Sequence, residues 1–305
     1  MKILVTGSSG QVGSHILEAL YKSNHEVVGL DILESNIPLV KKHTILGNIC
    51  NYNLVRNLIK GEEFGAIIHA AAQISVDKSI KKPLFYAKNN IMGTLNILRA
   101  SKSAKSDMCR LIYISSAAVY GNPVYLPLDE MHPLDPISPY GVSKLAAEKF
   151  CLAYYKVHSL PVVCIRPFNI YSLRQDPKNP YSGVISKFIE RVKKGLPPII
   201  YGDGNQTRDF VNILDLVSMI ELILINDRAI GEVFNCGTGV PTSINKLADI
   251  IIISSGCKLK PKYTKSRCGD IINSYADISK AKNILGYFPK KSLKEGIQEM
   301  LSKKS

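Results

Sequence analysis

The sequence has no apolar run that could cross a membrane, because no stretch approaches the roughly 18 consecutive apolar residues of a spanning helix. Its first residues, MKILVTG, run directly into a strand-like pattern and leave no room for a signal peptide. It also has no C-x-x-C pair, and its seven cysteines are scattered: Cys50, Cys109, Cys151, Cys164, Cys236, Cys257 and Cys268. We therefore expect a cytoplasmic protein with reduced thiols, without a disulfide framework or a metal site.

Acidic residues are scarce, and the net charge is +14. The excess is concentrated from residue 257 to 305, where twelve Lys or Arg face four Asp or Glu. Nucleic-acid binding is one interpretation of such a segment. The segment has no known nucleic-acid-binding signature, so we interpret it as a solvated basic face without a nucleic-acid partner. A basic surface also attracts a small dianionic substrate.

Short apolar segments alternate with longer helix-like segments through the first half of the chain. The apolar runs, rich in β-branched residues, are KILVTG, EVVGLD, TILGNI, AIIHAA, LIYISS and PVVCIRPF. The helix-like segments cover residues 11–23, 83–104 and 138–158. Continuous apolar strands alternating with helices predict an α/β protein, with a doubly wound, Rossmann-like parallel sheet covered on both faces.

This alternation ends after Phe168, where Gly, Pro and polar residues become frequent. The segments VNILDLVSMIELILI and EVFNCGTG are helix-like and strand-like, and we expect them to return to the first sheet. The sequence therefore predicts a larger Rossmann-like domain over residues 1–168 with 208–239. A smaller C-terminal lobe is predicted over residues 169–207 and 240–305.

The stretch VTGSSGQVG predicts a dinucleotide site at the first strand-to-helix turn. Glycines there allow a tight turn and close approach of a pyrophosphate to the helix N-terminus. Asp31 follows Gly13 by 18 residues, at the end of the second apolar run, where a carboxylate can bind an adenosine ribose. Its charge would repel a 2′-phosphate, which favours NAD over NADP. The predicted cofactor residues in this turn are Gly7, Gly10, Gln11, Val12 and Gly13.

The stretch SPYGVSK sets Tyr140 and Lys144 four residues apart, one turn along the same face of a predicted helix. Taken alone, the pair could be an ordinary surface contact. Together with HAAA at 69–72 and SSAAVYG at 115–121, however, it resembles the extended short-chain dehydrogenase/reductases. Within that family, the chain is similar to nucleotide-sugar epimerases of the UDP-glucose 4-epimerase type. The resemblance continues through RPFNIYS, YGDGNQTRDFVNILDL, VFNCGTG and YADISKAKNILGY, so it covers nearly the whole chain.

The resemblance implies catalytic roles for Ser116, Tyr140 and Lys144. A free tyrosine, with a pKa of about 10, is a poor base at neutral pH. A nearby ammonium and a nicotinamide cation would both favour its phenolate, so that Tyr140 could take the proton of the sugar 4-hydroxyl. Lys144 would also hold the nicotinamide ribose, and Ser116 would hydrogen-bond the reacting oxygen.

Further cofactor residues transfer from the same resemblance. Asn48 and Ile49 end the third apolar run, where the family usually has an aspartate over adenine. Asn90 matches an asparagine beside the nicotinamide, or is simply a polar helix residue. Small residues that let the cofactor lie on the fourth strand are Ala70, Ala71 and Ala72.

On the substrate side, Arg208 and Arg267 match two arginines that bind the diphosphate. Arginine suits phosphate oxygens because it can donate two parallel hydrogen bonds. Asn169 matches a residue that contacts the diphosphate or sugar, Asp270 a carboxylate near the nucleoside ribose, and Tyr201 a residue lining the base pocket.

Ser274 matches one wall of the sugar pocket in the resembled epimerases. A tyrosine at this wall leaves no space for an N-acetyl group at C2, whereas a small residue opens that space. A shift of one residue in the correspondence would bring Tyr275 to the wall instead.

The resemblance thus implies an NAD-dependent isomerase that interconverts UDP-glucose and UDP-galactose through a 4-keto sugar, with N-acetylated sugars accepted through Ser274. The larger domain would bind NAD, the smaller lobe the UDP-sugar, and the helices at 83–104 and 138–158 would pair in a homodimer.

Three alternative functions compete with this interpretation. A sugar-nucleotide 4,6-dehydratase is the first, but those enzymes carry acidic residues after the serine or threonine, where this chain has Ala117 and Ala118. A simple NAD-dependent dehydrogenase, which releases NADH in each turnover, is the second. A non-catalytic NAD-sensing protein is the third, although a sensor has no need of a general base.

Overall fold

A computed structural model describes residues 1–103, 110–175, 183–266 and 271–302. Its strands in these ranges are β1 (Lys2–Thr6), β2 (Glu26–Asp31), β3 (Thr44–Leu46), β4 (Ala66–His69), β5 (Arg110–Ile114), β6 (Val162–Pro167), β7 (Asn169–Tyr171), β8 (Ile199–Tyr201), β9 (Thr207–Arg208), β10 (Phe210–Asn212), β11 (Val233–Cys236), β12 (Thr242–Ser243), β13 (Lys262–Thr264) and β14 (Asn273–Ser274).

The helices in the same ranges are α1 (Gln11–Lys22), α2 (Pro38–His43), α3 (Tyr52–Gly61), α4 (Val76–Lys81), α5 (Pro83–Tyr86), α6 (Gly93–Lys102), α7 (Pro139–His158), α8 (Val184–Lys193), α9 (Ile213–Leu224), α10 (Ile244–Ser255), α11 (Ser279–Leu285) and α12 (Leu293–Ser302). A π-helical turn, Ala87–Met92, joins α5 to α6. No helix in the described part of the chain is long and apolar enough to span a membrane.

Seven parallel strands form the main sheet, in the order β11-β6-β5-β4-β1-β2-β3. The six apolar runs of the first half supply six of these strands, and the EVFNCGTG segment supplies β11, so the predicted parallel sheet is confirmed. The strand order changes direction between β1 and β4. In open α/β sheets, the crevice at such a switch point, beyond the carboxyl ends of the strands, is where ligands bind.

Helices cover both faces of the sheet because its strands are apolar on both sides. The first core holds side chains of α1, α9 and α11, including Ile16, Leu216 and Leu285. The second core lies on the other face and holds side chains of α3, α6 and α7, such as Val55 and Ala147. Each helix therefore buries its apolar face against a continuous apolar layer.

A smaller lobe has its own core, to which α8, α10 and α12 contribute Phe188, Leu247 and Ile297. Three small sheets surround it, in the orders β10-β7, β12-β9-β14 and β13-β8. The predicted boundary of this lobe, 240–305, differs from the structure in one helix. Helix α11 packs its buried side chains into the core of the larger domain. The adjoining Tyr287 donates a 3.0 Å hydrogen bond to the Gly237 carbonyl just after β11, which explains why this segment stays with the main sheet.

Candidate active site

A cleft of about 270 Å³ lies at the switch point, between the ends of β1, β2 and β4. Eleven of the predicted cofactor residues line it: Gly7, Gly10, Gln11, Val12, Gly13, Asp31, Asn48, Ile49, Ala70, Ala71 and Ala72. The cleft also has lining residues that the motifs did not indicate, namely Ser9, Leu30, Ile32, Leu33, Gly47, Gln73, Ile74 and Asn89. Most of these directly follow or precede a motif residue, so proximity in sequence was the available signal.

The glycine turn between β1 and α1 admits no side chain at two positions. A Cβ atom on Gly7, whose φ is +71°, would lie 2.7 Å from the Ala71 backbone nitrogen. A Cβ on Gly13 would lie 2.0 Å from the Gly7 carbonyl oxygen. The turn therefore packs directly on the backbone after β4, and α1 begins at Gln11 without a side-chain N-cap. Its first N–H groups can donate hydrogen bonds to an anion, so this end of the cleft fits a pyrophosphate.

Asp31 is held at the rim of the cleft by two backbone N–H groups. Its carboxylate accepts hydrogen bonds of 2.9 Å from the N–H of Ser9 and from that of Leu33. Each carboxylate oxygen can accept a further hydrogen bond, as binding of a ribose diol requires. Among the described residues, Asp31 makes no ion pair with a Lys or Arg, so its charge would face a 2′-phosphate uncompensated.

Two predicted cofactor residues have structural partners of their own. The Asn48 side chain accepts a 2.8 Å hydrogen bond from the Cys50 N–H. Asn90 lies on the π-helical turn, is 1% exposed and does not line the cleft. Its amide bonds both backbone groups of Gln73 and donates a 2.9 Å hydrogen bond to Ser143. Asn90 thus joins the loop after β4 to α7, a bracing contact that its position in the sequence did not reveal.

Ser116 and Tyr140 meet at the carboxyl end of β5. The Ser116 hydroxyl accepts a 3.1 Å hydrogen bond from the Ala118 N–H and lies close enough to the Tyr140 phenol to lower its pKa. Close packing makes this possible, because a Cβ on Gly141 would lie 2.7 Å from the Ala118 carbonyl oxygen. Ser138 caps α7 by accepting a 3.1 Å hydrogen bond from the Gly141 N–H. Ser116 is therefore both a turn-capping residue and a partner of the tyrosine.

Lys144 lies one turn after Tyr140 but does not lower the pKa of its phenol in this structure. Burial raises the pKa of Tyr140 above its ordinary value, and the hydrogen bond to Ser116 opposes that shift. The Lys144 ammonium is 3% exposed, donates a hydrogen bond to the Ile114 carbonyl and lies 4.5 Å from the centre of the Tyr113 ring. The Lys144 head group is thus directed at β5, and burial is the largest influence on the Tyr140 pKa in the protein without NAD.

Three predicted substrate residues lie on neighbouring short strands of the smaller lobe. Arg208 on β9 pairs in register with Ser274 on β14, and its guanidinium donates a 2.8 Å hydrogen bond to the Thr207 carbonyl. Asn169 on β7 is exposed, and its N–H donates to the Asp209 carbonyl. Another predicted substrate residue, Tyr201, ends β8 in a different sheet and is 39% exposed.

Two further predicted substrate residues, Arg267 and Asp270, lie outside the described residues. No group of three or more His, Cys, Asp or Glu side chains that could hold a metal ion occurs in the ranges that are described.

The chain matches a family model described as GDP-mannose 4,6 dehydratase over residues 4–300. It belongs to this family of extended short-chain dehydrogenase/reductases. A UDP-glucose 4-epimerase of Mycolicibacterium smegmatis is 35% identical over 97% of this chain and 96% of its own length. The Thermotoga maritima UDP-glucose 4-epimerase, solved with UDP-glucose, superposes with a TM-score of 0.93 at 32% identity, covering 99% of this chain and 97% of that one.

Other members of the family differ in their sugars. A Bacillus cereus UDP-glucuronic acid 4-epimerase, solved with UDP-glucuronic acid and NAD, has a TM-score of 0.88 at 33% identity, with 99% and 98% of the two chains covered. A Methanobrevibacter ruminantium UDP-N-acetylglucosamine 4-epimerase, solved with UDP-N-acetylmuramic acid, has a TM-score of 0.91 at 31% identity, with 98% and 96% covered. Relatives named dTDP-D-glucose 4,6-dehydratase match 82% of this chain at 32–34% identity and are covered over 61–73% of their own length. The UDP-sugar 4-epimerases among these proteins are isomerases.

Proposed function

We propose that this protein is an NAD-dependent UDP-sugar 4-epimerase that interconverts UDP-glucose and UDP-galactose. The observation that carries the proposal is that Ser116, at the carboxyl end of β5, lies beside the buried Tyr140 phenol and acts on its pKa. Lys144 lies one helical turn further along α7. A dinucleotide cleft and a lobe bearing Arg208 complete the arrangement, which matches the chemistry of the epimerases among its relatives.

The cleft residues would hold NAD by shape and charge. The uncapped start of α1 would bind the pyrophosphate, and the Asp31 carboxylate would bind the adenosine ribose diol. Ala70, Ala71 and Ala72 would leave space for the dinucleotide beside β4. NAD, when bound, supplies a reversible hydride acceptor and a positively charged ring.

Tyr140 would remove the proton from the sugar 4-hydroxyl and later return one to the oxygen on the same carbon. Its raised pKa means that the phenolate forms only when positive charge is brought close to it. The Lys144 ammonium is the cation on the same helix face, and its hydrogen bond in this structure is to the Ile114 carbonyl. Ser116 would hold the reacting oxygen through its hydroxyl.

The same residues argue against a dehydratase. A 4,6-dehydratase must remove water across C5 and C6, which needs an acid and a base besides the tyrosine. In this chain, the turn after Ser116 consists of Ala117, Ala118 and Val119, and none of these side chains can donate or accept a proton. A simple dehydrogenase would release NADH in each turnover, and a non-catalytic NAD sensor would not need the Ser116–Tyr140 pair.

The sugar pocket of this enzyme would accept an N-acetyl group at C2. Ser274 is partly buried on β14, next to Arg208 on β9, so a small side chain stands beside the residue proposed to bind the diphosphate. Ser274 and Tyr275 are consecutive, and in an extended strand consecutive side chains point to opposite sides. Only one of them can therefore form the wall, and we propose Ser274.

A homodimer is the proposed assembly, formed through α4–α6 and α7. These helices pack side by side and leave large apolar side chains exposed. Leu84 is 85% exposed and Ile80 64%, and Val142 and Phe150 on α7 are also exposed. Large apolar side chains exposed on neighbouring helices are what an interaction face presents. The five described cysteines are free thiols, which supports the proposed cytoplasmic location.

Incubation with single UDP-sugars, followed by proton NMR of the anomeric signals, tests the function. We expect UDP-glucose to yield UDP-galactose, and UDP-N-acetylglucosamine to yield its C4 epimer, without accumulation of NADH. A methyl doublet from a 6-deoxy-4-keto sugar would indicate a dehydratase instead, and stoichiometric NADH a dehydrogenase. If no UDP-sugar is changed, the proposal is wrong.

A further inference from the structure

A fully buried ion pair lies beneath the proposed catalytic residues. Glu148 on α7 and Arg166 on β6 have side chains that are 0% and 3% exposed, and their closest nitrogen and oxygen atoms are 2.6 Å apart. Removing two charges from water costs several kcal/mol per ion, and a pair of apolar side chains can often replace such a pair without loss of stability. Stability alone therefore gives a weak reason for charges at this depth.

The pair is connected to the turn that carries Ser116. The Ser115 hydroxyl donates a 2.7 Å hydrogen bond to the Glu148 carboxylate, directly before the catalytic serine in sequence. Arg166 donates a 3.0 Å hydrogen bond to the Tyr120 hydroxyl, at the other end of the same turn. Tyr120 in turn donates a 2.6 Å hydrogen bond to the side chain of Asn235 on β11. The ion pair thus fixes both ends of the segment 115–120.

Glu148 is also aligned with the catalytic residues of α7. Tyr140, Lys144 and Glu148 are spaced four residues apart, so they follow one face of the helix over successive turns. Burial lowers the pKa of Lys144 to about 8, and Glu148 is a nearby group whose negative charge opposes this. The titratable and charged groups around Lys144 come from every element packed on it: Tyr140, Glu148 and Cys151 on α7, His69 on β4, Tyr113 on β5, and Cys164 and Arg166 on β6.

Glu148 is the carboxylate in this set. The side chains of Tyr113 and Cys164 are neutral at neutral pH, because burial raises the pKa of each group well above its ordinary value. His69 is neutral as well, since burial lowers its pKa to about 3. Glu148, which is paired with the Arg166 guanidinium, is therefore a fixed negative charge in the surroundings of this ammonium.

We propose that Glu148 is a positioning residue whose buried carboxylate keeps Lys144 in its ammonium form and fixes the Ser115–Ser116 turn under the reacting groups. The role in turnover rests on the proposed function, in which Lys144 and Ser116 serve the reaction. The effect of Glu148 on the protonation of Lys144 does not rest on the proposed function, because this effect is exerted in the protein without substrate.

The variant Glu148→Gln tests the proposal by removing the charge and keeping the shape. The protein is labelled with ¹³C-lysine, and the ε-carbon signal of Lys144 is assigned by its absence from the spectrum of Lys144→Met. The position of this signal is then followed by NMR as a function of pH. We expect Lys144 to titrate at a lower pH in Glu148→Gln than in the unmodified protein. An unchanged titration midpoint would overturn the proposal, whatever the substrate proves to be.

A second variant covers the case in which Glu148→Gln does not fold, since it leaves Arg166 buried without its partner. Glu148→Met with Arg166→Met removes both charges and retains apolar volume. Lys144 should again titrate at a lower pH, because the negative charge that raises its pKa is gone. The matched control is Asp227→Asn, which breaks the ion pair between the exposed Asp227 and Arg110 at the opposite end of β5 and should leave the titration unchanged.

Kinetics provide the second readout. In Glu148→Gln, kcat should fall at least ten-fold at pH 8.5 and less at pH 6.5. The reason is that Lys144 of the variant loses its proton at a lower pH than Lys144 of the unmodified protein. A purely structural role would instead lower kcat by the same factor across the whole pH range. That uniform loss, together with an unchanged Lys144 titration, contradicts the electrostatic role.

Discussion

Acid should destabilise this fold through His69, the last residue of β4. The imidazole is 1% exposed and lies between two hydroxyl groups, 2.7 Å from Thr6 on β1 and 2.9 Å from Thr94 on α6. Each hydroxyl can serve one ring nitrogen of the neutral imidazole, as donor or as acceptor. Burial, with a smaller contribution from the Lys144 charge, lowers the pKa of His69 to about 3.

The sign and size of the effect follow from this pKa. The unfolded chain takes up the proton near a pKa of about 6.5, whereas the folded protein excludes it down to a pKa of about 3. The stabilising contribution is therefore fully present above pH 6.5 and is lost as the pH falls toward 3. At about 1.4 kcal/mol per pH unit, the free energy of unfolding should lose about 2 kcal/mol by pH 5 from this one residue.

Urea unfolding at pH 7.5 and pH 5.0 tests this contribution when the unmodified protein is compared with His69→Asn. The carboxylates titrate in both proteins, so their effect cancels in the difference. His69→Asn should be less stable at pH 7.5, and its disadvantage should shrink by about 2 kcal/mol at pH 5.0. The control His158→Asn, at an exposed position that ends α7, should keep the pH dependence of the unmodified protein. Equal pH dependence for His69→Asn and the unmodified protein would refute the reasoning.

Three further predictions concern the site. Tyr140→Phe should lower turnover by at least about 100-fold, the usual scale for loss of a general base, while NAD still binds; near-normal turnover in a coupled assay would contradict the mechanism. The protein should bind NAD far more tightly than NADP, and Asp31→Ala should reduce the difference between the two dissociation constants. Comparable dissociation constants for NAD and NADP in the unmodified protein would contradict the role of Asp31. Ser274→Tyr should abolish turnover of UDP-N-acetylglucosamine and spare UDP-glucose, since inserted atoms in a packed site cost about 1–3 kcal/mol even for small groups. If the unmodified enzyme epimerises UDP-glucose but ignores the acetylated sugar, Ser274 is not the wall.

The main sheet could be predicted from sequence because its central strands, such as β4 and β5, are buried on both faces and contain unbroken apolar runs. The cleft could be predicted for a related reason. Residues such as Gly7 and Asp31 are required by local backbone geometry and by their position at strand ends, and both are visible in the sequence.

Other features depend on contacts between distant segments and left no local pattern. Helix α11 joins the larger core because of partners more than 40 residues away, including Asn226, whose side chain donates to the Ile284 carbonyl. The Lys144 head group is directed at the Ile114 carbonyl, which helical spacing relative to Tyr140 could not indicate. Asn90 braces Gln73 and Ser143 from a π-helical turn that the apolar pattern of 83–104 does not distinguish from an ordinary helix.

The most direct test of the proposed reaction is the fate of the hydrogen at C4. UDP-glucose carrying deuterium at C4 is incubated with the enzyme in ordinary water, and the products are examined by NMR. Removal and return of the same hydride predicts UDP-galactose that retains deuterium at C4. Deuterium found in a C6 methyl group, or replaced by solvent hydrogen at C4, would contradict the account.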